Sequence, residues 1–198
     1  MPESSATVVG IGGAYCSGKS TVAQILIDAG YREINVDALG HRALADCRAE
    51  VVAEFGSAIL GSDGSIERST LRARVFGDAA ALRRLERILH PRMVAMAREI
   101  IGRTGDTPVV MHAALLFHMG LDALCDTVIW VRAPLLLRVR RGLRRDRTSV
   151  RNVLRIIWVQ RKLGVQSDAN SVDIHTVENR GNHAQLMDQL RQLNLPRI

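Results

Sequence analysis

The sequence predicts an α/β protein in which a parallel β-sheet of five strands carries helices on both faces. Short apolar segments that suit buried strands alternate with amphipathic helical segments, and a glycine-rich loop joins the first strand to the first helix. A long helical stretch interrupts this alternation after the second strand. A chain of 198 residues is long enough for one such domain, over residues 1–198, with an insertion.

The chain begins with a β-loop-α-β unit, in which the two strands run parallel. Residues 7–12 form an apolar strand, residues 13–20 a loop, and residues 21–29 a helix with one apolar face. The second strand is predicted over residues 34–36. Asp37 is therefore expected at its carboxyl end, on the edge of the sheet where the loop lies.

The insertion is predicted to be helical and to cover approximately residues 42–104. Its first helix spans residues 42–55, and a later one ends at His90 and Pro91, because proline is a stop signal for helices. His90 could then cap the last carbonyls. A further helix covers residues 93–101.

The second half of the chain returns to the alternation of strands and helices. Ten arginines fall between Arg132 and Arg161, mostly on two helices for which a lid over approximately residues 138–165 is predicted. The predicted elements are strands at 109–111 and 127–131, helices at 135–145 and 150–160, a polar loop at 164–172, a strand at 176–177 and a helix at 183–193.

The composition limits the classes of partner and compartment. The net charge of +7 indicates an anionic partner, such as a nucleotide, a coenzyme, a nucleic acid or a membrane surface. The three cysteines have no C-x-x-C pair or metal-ligand spacing, which argues against a disulfide framework and a zinc site. The polar start lacks a signal peptide, and no apolar run would span a bilayer, so a cytoplasmic protein without membrane contact is expected.

The glycine-rich loop matches G-x-x-x-x-G-K-[ST], the Walker A pattern that binds phosphate. Backbone N–H groups of the loop and the N-terminus of the following helix would surround the phosphates. Lys19 would reach the β- and γ-phosphates, and the Ser20 hydroxyl would ligate Mg²⁺. The alternative, an incidental glycine-rich turn, does not account for the strand before the loop and the helix after it. The matching residues are Gly13, Ala14, Tyr15, Cys16, Ser17, Gly18, Lys19 and Ser20.

Two further features admit two interpretations each. Asp37 could accept a proton from an attacking hydroxyl or hold Mg²⁺ through water, or it could merely cap the helix that follows. Arg138, Arg141 and Arg145 form one stripe on the helix at 135–145, which could close over a transferring phosphoryl group. A second stripe consists of Arg140, Arg144 and Arg147. The alternative is a solvated basic face, and one or two functional arginines are expected.

Beyond the phosphate loop, the sequence resembles the dephospho-coenzyme A kinase family over nearly its whole length. Residues 10–21 (GIGGAYCSGKST) resemble the family segment GLTGGIGSGKST without a gap. Residues 34–42 resemble I-D-A-D-x-L-G-H-R. The most specific block is Asp63-Gly64, Arg68 and His90-Pro91, and later matches lie at 115–117, at the arginine spacing, at Gln160 and at Asn179-x-Gly181.

The resemblance implies ATP-dependent phosphorylation of the ribose 3′-hydroxyl of dephospho-coenzyme A. It implies that Asp37 is the general base and that Lys19 and Arg141 clamp the transferring group. ATP would be bound by the phosphate loop, Thr21, Arg145, Asn179 and Gly181. The acceptor would be bound by Asp37, His41, Arg68, His90, Pro91 and Leu116. A monomer or weak oligomer without nucleic acid is expected.

The sequence departs from the family pattern at four positions. Asn35 replaces the first aspartate of D-A-D, Cys16 stands where glycine is usual, and Ala114 and His118 replace proline and glutamate. Two alternatives stay open on the residues themselves. One is another small-molecule or nucleoside monophosphate kinase of this fold, and the other is a non-catalytic phosphate-loop module that binds nucleic acid.

Overall fold

The structure is a computed structural model that describes residues 6–113, 115–146, 148–162 and 172–198. In these ranges the chain forms five strands and eight α-helices. The strands are β1 (Val8–Gly13), β2 (Arg32–Ile34), β3 (Val109–His112), β4 (Thr127–Arg132) and β5 (Asp173–Glu178). The helices are α1 (Lys19–Asp28), α2 (Val36–Asp46), α3 (Arg48–Phe55), α4 (Arg68–Val75), α5 (Ala79–Gly102), α6 (Leu135–Asp146), α7 (Val150–Lys162) and α8 (His183–Arg191).

The strands form one parallel sheet in the order β2-β3-β1-β4-β5, which confirms the predicted five-stranded α/β fold. The central strand β1 is buried along its whole length. Because the carboxyl ends of parallel strands share one edge, the loop after β1, helix α6 after β4 and Asn179 after β5 come together there. This edge forms the candidate site.

The chain divides into two compact units. The sheet unit contains residues up to Ile34 and from Ile100 onward, and its core includes Val9, Ile11, Leu26 and Ile129. The helical unit, Asn35–Glu99, has a core of its own, formed by Cys47, Val51, Phe55, Ile59, Leu71 and Ala81. Among the helices of the described segments, none combines the length and apolar character that crossing a bilayer requires.

The second strand has the predicted length of three residues but lies two residues earlier than predicted, at Arg32–Ile34. It ends at Ile34, because the Asn35 side chain accepts a hydrogen bond from the Ala38 backbone N–H at 2.9 Å and caps a helix that begins at Val36. Asp37 therefore lies in the first turn of α2 and not at the end of a strand. Of the two interpretations of Asp37, the one that makes it a helix cap is wrong, since Asn35 is the cap.

The helix predicted to stop at His90 and Pro91 does not stop there. Helix α5 runs through Pro91 for 24 residues, although a proline inside a helix costs about 3 kcal/mol. Met93 and Met96 are buried beyond the proline, and Arg92 forms an ion pair with Asp46 at 2.5 Å. These contacts hold the second half of the helix in place, so His90 is not a C-terminal cap.

Two other boundaries differ from the prediction. The segment at 42–55 belongs to two helices, α2 and α3, which meet at Cys47. Strand β5 has six residues and not two, because its backbone pairs with β4 along its whole length even where its side chains are polar. The predicted polar loop at 164–172 lies, apart from Val172, outside the described residues.

Candidate phosphoryl-transfer site

The loop between β1 and α1 has the geometry that binding of phosphate requires. Gly13 and Gly18 have φ angles of +146° and +101°, and a Cβ on Gly18 would lie 2.0 Å from Asn179 Nδ2. A Cβ on Gly13 would lie 2.5 Å from the Val131 carbonyl oxygen. Gly18 is the N-cap of α1 and has no side chain that could accept a hydrogen bond. The backbone N–H groups of the first turn are therefore available to a phosphate group at the loop.

Lys19 is the first residue of α1, and its side chain turns back onto the loop. Its Nζ donates hydrogen bonds to the Gly13 and Ala14 carbonyl oxygens at 2.8 and 3.0 Å. Burial lowers the pKa of Lys19 to about 8, and the charges of Arg145 and Arg138 act in the same direction. A phosphate group placed here would remove this electrostatic strain on the ammonium group.

A cavity of about 260 Å³ lies against the loop. Its lining, as far as the described residues form it, combines cationic side chains with small polar groups and has no carboxylate, which suits a polyanion. The lining residues are Cys16, Gly18, Lys19, Ser20, Thr21, Arg141 and Arg145. Six of the predicted ATP-binding residues, Arg145 of α6 among them, therefore meet in one place with Arg141, the predicted catalytic arginine.

The arginine stripe of α6 faces the loop. Arg138 Nε donates to the Tyr15 carbonyl oxygen at 2.8 Å, and Arg141 Nη1 donates to the carbonyl oxygens of Cys16 and Ser17 at 3.4 and 3.1 Å. Burial lowers the pKa of Arg141 and of Arg138. Arg138 and Arg141 are thus not part of a solvated face, whereas Arg145, the third member of the first stripe, is exposed. Arg140 and Arg144 of the second stripe are exposed as well, and Arg147 lies outside the described residues.

Arg141 connects the loop to the turn after β5. Its Nη2 donates to Asn179 Oδ1 at 2.9 Å, and the same oxygen accepts from the Gly181 backbone N–H at 3.1 Å. Asn179 is 4% exposed, so its amide is fixed by these bonds. The predicted residues Arg141, Asn179 and Gly181 therefore form one network with Gly18, although they are far apart in sequence.

Two residues of the loop carry signs of the ligand that they would hold. The Ser17 hydroxyl is fully buried and has no hydrogen-bond partner in the described part of the chain. Cys16 has a φ angle of +55°, the left-handed conformation that glycine adopts most easily, which fits the glycine usual at this position. The loop therefore keeps the glycine-type backbone despite the substitution.

The predicted acceptor residues other than Leu116 belong to the helical unit. Asp37 and Arg68 are exposed, in the first turns of α2 and α4. His41 lines a cavity of about 170 Å³ together with Leu44, Ala45, Arg48, Ser65 and Ile66. His90 and Pro91 lie within α5.

Leu116, the predicted acceptor residue of the sheet unit, is buried in the core. Leu116 is 1% exposed and packs under β1, where a Cβ on Gly10 would lie 2.8 Å from its Cδ2, so its position here supports a packing role. Arg138 was not singled out as a site residue, although its place in the stripe with Arg141 and Arg145 could have identified it. Ala114 lies outside the described residues, and His118 is exposed.

The depressed pKa of Lys19 predicts a pH dependence of ATP binding. Below pH 8 the amine is protonated with or without nucleotide, and affinity should be constant. Above the free-protein value of about 8, binding must take up a proton, so Kd should rise by about tenfold per pH unit. Calorimetry between pH 7 and 9.5, in buffers of different ionisation enthalpy, measures both Kd and proton uptake. The measurements use Cys16→Ser as the background, so that the neighbouring thiol cannot contribute to the proton uptake. Lys19→Arg should abolish the proton uptake. A Kd that stays constant up to pH 9.5 would contradict the prediction.

The sequence and the fold were compared with known proteins. The family model for dephospho-CoA kinase matches residues 7–184. A dephospho-CoA kinase from Borreliella burgdorferi is 30% identical over 187 residues, covering 93% of this chain and 91% of its own length. One from Anaeromyxobacter dehalogenans is 38% identical over 145 residues, with 70% and 69% covered.

The fold is similar to that of a solved structure over nearly the whole chain. The crystal structure of TT1252 from Thermus thermophilus superimposes with a TM-score of 0.78 at 31% identity and covers 96% of both chains. The loop, the arginines of α6 and the turn at Asn179 lie within the matched span, as does the whole helical unit. The chain belongs to the dephospho-CoA kinase family.

Proposed function

We propose that this chain transfers the γ-phosphoryl group of ATP to the ribose 3′-hydroxyl of dephospho-coenzyme A, giving coenzyme A and ADP, the final step of coenzyme A biosynthesis. The observation that carries the proposal is the cationic cavity at the phosphate loop, lined by Lys19, Arg141 and Arg145, in a chain that the family model spans. Family membership makes the chain a phosphotransferase with ATP as co-substrate. It gives no support to a nucleic-acid-binding module.

The roles of the residues follow from where charge develops during transfer. Negative charge spreads over the oxygens of the moving phosphoryl group, and cations fixed in place stabilise it without reorganising. We assign this role to Lys19 and Arg141, since both are already held against the loop by hydrogen bonds. Asp37 is assigned as the base that accepts the proton of the attacking hydroxyl.

The loop also fits a magnesium ion carried by the nucleotide. Mg²⁺ keeps several waters and needs only one or two protein groups beside substrate phosphates. Ser20 supplies a hydroxyl in the cavity lining, and the described residues contain no cluster of three or more His, Cys, Asp or Glu that would form a separate metal site. When bound, the ion would neutralise phosphate charge, and Ser20 would be its protein ligand.

The remaining assignments concern the two halves of the substrate. The helical unit would bind the acceptor, through His41, Arg68, His90 and Pro91, and α6 with α7 would form the lid. We also propose that the enzyme acts in the cytoplasm, where ATP is available, as a monomer or weak oligomer. Light scattering on the purified protein tests the last point.

The identity of the acceptor is the sharpest test of the proposed function. Release of ADP should be stimulated by dephospho-coenzyme A far more than by AMP, adenosine or a sugar, with the new phosphate on the ribose 3′-oxygen. A coupled assay for ADP with phosphorus NMR of the product measures both. Equal or greater stimulation by AMP would instead indicate a nucleoside monophosphate kinase.

A further inference from the structure

Tyr15 lies in the middle of the phosphate loop, yet its side chain packs against α6 and does not line the phosphate cavity. It is 6% exposed. A Cβ on Gly142 would lie 2.8 Å from Tyr15 Cε1 and 3.1 Å from its hydroxyl oxygen. The absence of a side chain at Gly142 therefore allows the ring to rest directly on the backbone of α6.

The hydroxyl of Tyr15 reaches the end of the same helix. It donates a hydrogen bond to Asp146 Oδ2. The Asp146 carboxylate also accepts from Arg145 Nε at 2.7 Å and from Arg145 Nη2 at 3.1 Å. The Arg145 guanidinium carbon lies 4.8 Å from the centre of the Tyr15 ring. Tyr15 thus contacts Arg145 through its ring and the counter-ion of Arg145 through its hydroxyl.

The charges in this group are fixed at neutral pH. Hydrogen bonds from Arg145 and then Tyr15 lower the pKa of Asp146 to about 2. Burial and then the hydrogen bond to Asp146 raise the pKa of Tyr15 to about 12. The hydroxyl therefore remains a donor and the carboxylate an acceptor over the whole range in which the enzyme would be assayed.

The backbone of Tyr15 is bound to α6 as well. Its carbonyl oxygen accepts from Arg138 Nε at 2.8 Å, two turns before Asp146 on the helix. Tyr15 is therefore attached to α6 at both ends of the residue, and Arg145, which lines the cavity, lies against its ring. The hydrogen bond from the Tyr15 hydroxyl is what connects the Asp146 carboxylate, and with it the exposed Arg145–Asp146 pair, to the loop.

We propose that Tyr15 is a positioning residue for nucleotide binding: it holds the Arg145–Asp146 pair so that the Arg145 guanidinium lines the phosphate cavity before ATP arrives. The inference rests on the proposed function only in taking ATP as the ligand of this cavity. It makes Tyr15 act through Arg145 and not by contact with the nucleotide.

The test is a double-mutant cycle on ATP binding, measured by calorimetry with ATP and Mg²⁺. Tyr15→Phe keeps the ring and removes the hydroxyl, and we expect Kd to rise by about three- to tenfold, the size of effect that the loss of one typical side-chain hydrogen bond has. Arg145→Ala should raise Kd at least as much. In the Arg145→Ala background, Tyr15→Phe should have no further effect, because both changes remove the same interaction.

Tyr31→Phe is the matched control. Tyr31 is 4% exposed and donates to the Pro196 carbonyl oxygen at 2.7 Å, so its loss should lower the melting temperature and leave Kd unchanged. Asp146→Ala removes the same contact from the exposed side of α6, and it should weaken ATP binding to a similar extent even where Tyr15→Phe folds poorly.

The inference is wrong if Tyr15→Phe and Asp146→Ala both bind ATP within twofold of the wild type. It is also wrong if the effects of Tyr15→Phe and Arg145→Ala multiply in the double variant, since Tyr15 would then act independently. Because the readout is ATP binding, a failure of dephospho-coenzyme A to stimulate ADP release would refute the proposed function and leave this result unaffected.

Discussion

Replacing Lys19 with alanine is expected to lower kcat by at least about 10² to 10³, the usual effect of removing one fixed group that stabilises charge in the transition state. Among the described residues that line the phosphate cavity, Lys19 is the one that carries an ammonium group. Steady-state assays of ADP release at saturating ATP and acceptor measure the change. The melting temperature of the Lys19→Ala variant should equal or exceed that of the wild type, because burial of the charged amine opposes folding below pH 8.

The arginines of α6 provide a matched pair for this prediction. Arg141→Ala should also lower kcat, because the Arg141 guanidinium is held at the loop by hydrogen bonds to Ser17 and Asn179. The affinity for ATP should change less than kcat. Arg144→Ala removes an exposed arginine from the same helix and should leave kcat unchanged. Equal activities of the wild type and Arg141→Ala would show that this stripe does not take part in transfer. An active Lys19→Ala enzyme would remove the lysine from the mechanism.

Replacing Asp37 with asparagine should lower kcat by about 10² to 10⁴, the contribution of a positioned general base, with the affinity for ATP nearly unchanged. The base accepts a proton only as the acceptor hydroxyl attacks phosphorus, so its loss is confined to the transition state. Single-turnover kinetics with prebound ATP measure the chemical step. Because Asn35 and not Asp37 caps α2, stability should fall by no more than about 1 kcal/mol, the loss of a carboxylate in the first turn of a helix.

Asp46→Asn is the control for the Asp37 variant, because it makes the same substitution at the other end of α2. Asp46 is exposed and pairs with Arg92, a contact that contributes about 0 to 1 kcal/mol, and kcat should be normal. If Asp37→Asn keeps at least half of the wild-type kcat, Asp37 is not the base. Transfer assisted by the substrate itself would then be the simplest mechanism.

Local sequence patterns were sufficient where one residue type can meet the geometric requirement. Gly13 and Gly18 are two positions at which the loop adopts positive φ angles and a Cβ would meet a neighbouring group, and the Walker A pattern predicted both. The arginine spacing on α6 predicted two stripes, since residues at i, i+3 and i+7 share one side of a helix, but only the structure shows that Arg138 and Arg141 meet the loop. The sequence pattern predicted all five strands, though not their bounds.

Helix boundaries in the helical unit were harder, because tertiary packing competes there with local signals. Pro91 is a stop signal by itself, but the buried side chains of Met93 and Met96 keep α5 continuous across it. Asn35 and Asp37 are both good caps in sequence, and only the hydrogen bond from Ala38 to Asn35 distinguishes them. Because Asn35 is the cap, α2 begins at Val36 and Asp37 lies in its first turn.

The sequence by itself determined the parallel α/β fold, the phosphate loop, the arginine face and the family, because each depends on residue type at fixed local spacing. Only the tertiary structure decided which distant groups meet: that Arg141 joins Cys16 and Ser17 to Asn179, that Leu116 is buried, and that Tyr15 faces α6. Such contacts depend on how the strands are ordered in the sheet. That order is set by the burial of many side chains together, and no short segment encodes it.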